Sequence, residues 1–68
     1  MKTTKEYIYY RRDFLGDIFY RSLGDVVETF FEDIGWQLCS FKPHQIPLDN
    51  GFWTIIPEEE VVLNGVTL

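Results

Sequence analysis

The sequence predicts an α+β fold, with two N-terminal helices packed on a small C-terminal antiparallel sheet. Three observations lead there. Apolar residues recur at helical spacing through residues 23–34, and helix-type capping and charge pairs run through residues 4–21. After Gly35 the chain turns to short aromatic and β-branched runs, broken by Pro43, Pro47 and Pro57.

The first element is the least decided. Thr3 and Glu6 have the spacing of a capping box, and Asp17 and Arg21 that of an i,i+4 ion pair. On a wheel Tyr7, Ile8, Phe14, Leu15, Ile18 and Phe19 share a face, with Arg11 violating it. The competing reading takes "YIYYRRDFLGDIFYR" as a β-hairpin turning at Leu15–Gly16, because "EYIYY" is strongly β-prone. The alternative fold is then an N-terminal β-hairpin, one central helix and C-terminal strands.

The second element is "GDVVETFFEDIGW". Val26, Val27, Phe30, Phe31 and Ile34 fall within an arc of about 140°, with Asp25, Glu28, Glu32 and Asp33 opposite. Ser22 and Asp25 approximate a capping box, and Gly35 is a natural stop. Strands are expected at "WQLCSF" and "FWTII", with a turn at "LDNGF". "VVLNGVTL" places Asn64-Gly65 between apolar residues, which predicts a terminal hairpin.

At 68 residues, 46% of them hydrophobic and 18% aromatic, the chain predicts one small globular domain over residues 1–68. Cys39 is the only cysteine, so no internal disulfide forms, which suits a reducing, cytoplasmic setting. No signal-type h-region and no run of about 20 apolar residues is present, so no membrane role is expected.

The chemistry-bearing residues point away from catalysis. One cysteine and one histidine cannot supply a zinc site, and "LDNG" lacks the alternating ligands of a calcium loop. Nothing in the spacing brings Cys39 to His44, and no glycine-rich phosphate loop occurs. The expectation is no enzyme, no metal and no cofactor. Tyr7, Tyr9 and Tyr10 beside Arg11 and Arg12 suggest a stacking platform for single-stranded DNA or RNA. The net charge of −5 argues against that reading.

Charge is polarised along the chain, with +2 on residues 1–21 and −7 on residues 22–68. Like charges at i,i+3 and i,i+4 destabilise a helix by a few tenths of a kcal/mol each, and mixed charges would give the same solubility. Asp25, Glu28, Glu32 and Asp33, joined by Glu58, Glu59 and Glu60, are therefore the candidate partner-binding residues, facing a basic protein surface. In format the chain resembles small inhibitors, antitoxins, immunity proteins and phage-encoded modulators of host machinery. The expectation is a small acidic module that inhibits or regulates a larger basic partner, such as a nucleic-acid-processing protein. One alternative is a structural subunit or homodimer that assembles through its C-terminal strands.

Overall fold

The computed structural model describes residues 6–68. Five antiparallel strands form one sheet: β1 (Ile8–Asp13), β2 (Asp17–Leu23), β3 (Val26–Phe31), β4 (Gly35–Leu38) and β5 (Trp53–Ile56). Their spatial order is β4-β3-β2-β1-β5. The first four make a meander, and the chain then crosses through residues 39–52 to lay β5 against the free side of β1. A short helix, α1 (Glu58–Leu63), ends the regular structure.

This corrects the two predicted N-terminal helices. Residues 8–23 form the hairpin that was the competing reading, with Asp13 opposite Asp17 around Leu15–Gly16. The Thr3 end of the expected capping box lies outside the described residues. Residues 23–34 are not helical either. They supply a two-residue turn at Gly24-Asp25, then β3, then the β3–β4 turn. Gly24 has φ +60° and Asp25 does not have positive φ, as a Gly-X hairpin turn of type II′ requires.

Both faces of the sheet are covered, which is why its strands lack a clean apolar–polar alternation. On one face Tyr10, Tyr20, Val27 and Trp53 are buried under Ile46 and Phe41 of the crossover. A single 3₁₀ turn at Pro43–Gln45 shapes that crossover, closed by Lys42 N–H donating to Gln45 Oε1 at 2.7 Å. Ser22, the buried polar residue here, is hydrogen-bonded to the Tyr10 hydroxyl at 3.0 Å. On the other face Tyr9, Phe19 and Ile56 pack beneath Val61 and Val66, with Tyr7, Phe30 and Trp36 around them.

The predicted terminal hairpin is also corrected. "VVLNG" completes α1, and Asn64-Gly65 is its C-terminal cap. Gly65 has φ +83°, Gly65 N–H donates to Val62 O at 2.9 Å and Val66 N–H to Val61 O at 3.3 Å. That bond pair is a Schellman motif, and it turns Val66 back onto the sheet. Trp36 Nε1–H then donates to Thr67 O at 2.8 Å and ties down the tail. "VVLNGVTL" therefore supplies no strand for pairing with a second copy, and of the expected C-terminal strands only β5 is placed to do so. The open edges of the sheet are β4 and β5.

Among the described residues no helix is long and apolar enough to cross a membrane.

Candidate functional site

The strand registers bring three chain segments to one end of the sheet. Asp13↔Asp17, Phe31↔Gly35 and Arg12↔Trp53 place the β1–β2 tip, the β3–β4 tip and the approach to β5 side by side. Asp13 N–H donates to Phe52 O at 2.8 Å and joins the first of these to the third. Phe14, Phe31 and Phe52 stay about half exposed there, and Ile34 and Leu15 more so. Asp13, Asp17, Glu32 and Asp33 surround them, all exposed.

Two features of the β1–β2 tip work against stability. Asp13 and Asp17 stand directly opposite each other, a like-charge pair that destabilises by roughly 0.2–1 kcal/mol. Among the described residues neither carboxylate forms an ion pair. Leu15 has φ +57°, the left-handed region that disfavours L-residues by about 1–2 kcal/mol, and it is 96% exposed. No packing of its own side chain offsets that strain. Asn or Gly would satisfy the same turn at lower cost.

The predicted acidic face is dispersed by this fold. Asp25 lies in the β2–β3 turn, at the opposite end of the sheet from Glu32 and Asp33. Glu28 is not a free surface acid, because it accepts a 2.7 Å bond from Arg21 Nε across the β2–β3 ladder. Glu58, Glu59 and Glu60 form the first turn of α1, where the helix dipole favours them. Glu60 is held at 2.8 Å by Arg11 Nη1. Only Glu32 and Asp33 reach the acidic end. Asp13, Asp17, Phe14 and Leu15 were not among the candidates, yet "DFLGD" signals them once the Leu15–Gly16 turn is chosen.

In the N-terminal aromatic–basic segment Tyr7 is half-buried, with Arg21 over its ring at 4.2 Å. Tyr9 and Tyr10 are buried on opposite faces, Arg11 is committed to Glu60, and Arg12 lies over Phe14 and Trp53 at 5.1 and 5.5 Å. Cys39 is half-buried and His44 exposed, and among the described residues no three metal-binding side chains converge.

Burial, aided by Glu58, raises the pKa of the Tyr9 phenol above its ordinary 10.0, although Arg21 pulls the other way. Burial also raises the Cys39 thiol above 9.0, with Glu28 adding to it. Both groups are therefore held neutral more firmly when folded than when unfolded. Their contribution is fully present below the unfolded values and is lost as pH rises through the folded ones. Melting curves from about pH 8 to about pH 11 should fall more gently in Tyr9→Phe and Cys39→Ser than in wild type. Equal slopes would remove both groups from the alkaline limb.

No family model, curated protein or solved structure matches the chain. The reading of function therefore rests on the acidic end itself.

Proposed function

We propose that this chain is a small cytoplasmic, non-catalytic module that binds and regulates a larger protein through the acidic, apolar end of its sheet. The partner surface is basic, with apolar recesses for Phe14, Leu15 and Ile34. A surface built to hold phosphates has that charge, so a nucleic-acid-processing protein is the favoured class. The free thiol of Cys39 supports a reducing compartment.

The observation that carries this reading is the β1–β2 tip. A strained, exposed leucine between two opposed aspartates costs the monomer stability and gives it nothing in return. Backbone strain of this kind concentrates at functional sites. Apolar side chains ringed by charge also have the make-up of a binding patch, where desolvated anchors carry affinity and rim charges steer encounter.

The reading is tested with a photo-reactive phenylalanine at Phe14, with Leu38 at the far end of the sheet as control. Cross-linking in the native cell should capture a basic protein from position 14 and not from position 38. Asp13→Lys/Asp17→Lys should slow association with that protein by about tenfold or more at low salt. Leu15→Gly should stabilise the fold by roughly 0.5–1 kcal/mol and weaken the complex at the same time. Equal capture from both ends, or none from position 14, removes the assignment.

A further inference from the structure

The two hairpins of the sheet separate at the acidic end. β2 extends to Asp17 and β3 to Phe31, yet their pairing stops at Tyr20↔Thr29. Beyond that point β2 pairs only with β1, and β3 only with β4. The Thr29 hydroxyl donates to Phe19 O at 3.2 Å beside the last paired residues. Past it lies a cleft of about 710 Å³ that is partly open to solvent. Phe19, Phe30 and Val66 of the tail line it, together with the exposed acids Asp17 and Glu32. Among the described residues no cation pairs with either acid.

The geometry points to an arginine side chain as the occupant, presented by the basic partner of the proposed function, on which this inference rests. Its guanidinium would lie between the Asp17 and Glu32 carboxylates and its stem along Phe19 and Phe30. Two carboxylates suit a planar fork of donors, and aromatic walls suit a weakly hydrated cation better than a compact ammonium. The chain already holds one arginine between aromatic rings and a single carboxylate on the same face of the sheet. Arg21 lies 4.2 Å from the Tyr7 ring centroid and 4.3 Å from that of Trp36, and donates to Glu28 at 2.7 Å. Outward of Phe19 and Phe30 the facing strand edges are not paired with each other, so their backbone groups can bond the main chain flanking the arginine.

The test is an amide chemical-shift titration with the tripeptide acetyl-Ala-Arg-Ala-amide, run beside its lysine and citrulline counterparts. Citrulline keeps the shape without the charge, and lysine keeps the charge without the fork. The expected result is saturable shifts confined to Asp17–Phe19 and Phe30–Glu32. Binding should be about tenfold weaker for citrulline, and for the arginine peptide against Asp17→Asn/Glu32→Gln, with lysine intermediate. These two substitutions preserve side-chain shape, and the same spectra report whether the variant is folded. Absence of saturation at the cleft overturns the inference. So do equal arginine and lysine responses spread over all the acids. If position 14 still captures a basic protein while the cleft amides stay still, the arginine assignment falls and the proposed function stands. If the tripeptide fills the cleft but position 14 captures nothing, the site stands and the protein-partner reading falls.

Discussion

Trp53→Ala is expected to lower the melting temperature by roughly 12–40 °C. Trp53 is buried on the crossover face, 4.6 Å between ring centroids from Tyr20 and in edge contact with Tyr10 and Phe41 at 6.4 and 6.1 Å. It also anchors the start of β5 against β1, opposite Arg12. Truncating such a residue typically costs about 3–5 kcal/mol, as lost transfer energy plus the cavity left behind. The whole stability of a domain this size is roughly 3–10 kcal/mol. A single ring therefore carries a large part of the total. Far-ultraviolet circular dichroism against temperature reads the result directly. Trp53→Phe keeps a ring in the cluster and should melt between the two. If Trp53→Ala melts within a few degrees of wild type, the crossover does not form the core described here.

The helix reading of residues 23–34 failed for a reason this packing makes plain. When a sheet is covered on one side only, its strands alternate apolar and polar, and that alternation announces them. Here α1 and the tail cover one face and the crossover the other, so β3 reads "VVETFF" with apolar residues pointing both ways. A run of that kind fits a helical wheel by accident, and only its β-branched and aromatic content separates the two readings. Glu28 looked like part of a polar helix face because its partner, Arg21, is seven residues away and on another strand. The Asn64-Gly65 pair is ambiguous in itself, since it serves a hairpin turn and a helix cap equally well. Pro57 followed by three glutamates is the start signal that decides for α1.

Other parts of the fold were legible from composition. The strands at Trp36 and Trp53, and the competing hairpin at Leu15–Gly16, follow from β-prone residues between turn residues. The acidic end was not, because it is assembled from three segments whose neighbours are set by strand order. No local pattern states that β5 returns to the free side of β1. Glu32 and Asp33 fit the polar side of a helical wheel in the sequence and reach this end as residues of a turn.

Arg21→Ala is the other substitution with a large expected effect, and it shows how the helix-covered face is held together. The guanidinium is stacked between Tyr7 and Trp36 and bonded to Glu28. The side chains of this pair are 14% and 26% exposed, so water screens the Glu28 charge only in part. Removing Arg21 leaves that carboxylate without its partner and takes the cation from between two rings. Breaking a fully buried pair costs about 3–5 kcal/mol, and partial exposure reduces this to roughly 2–3 kcal/mol. Arg21→Lys should fall between, since an ammonium keeps the charge but loses the planar stack. The decisive comparison is Arg21→Met/Glu28→Leu, which removes both charges and fills the space with apolar atoms. Urea denaturation should show this double variant recovering most of what Arg21→Ala loses. If it is as unstable as Arg21→Ala, the aromatic stack on the guanidinium holds this face together and the ion pair adds little. If Arg21→Ala is itself near wild type, Tyr7 and Trp36 pack well enough without the cation, and burial under Val61 and Val66 alone holds that face.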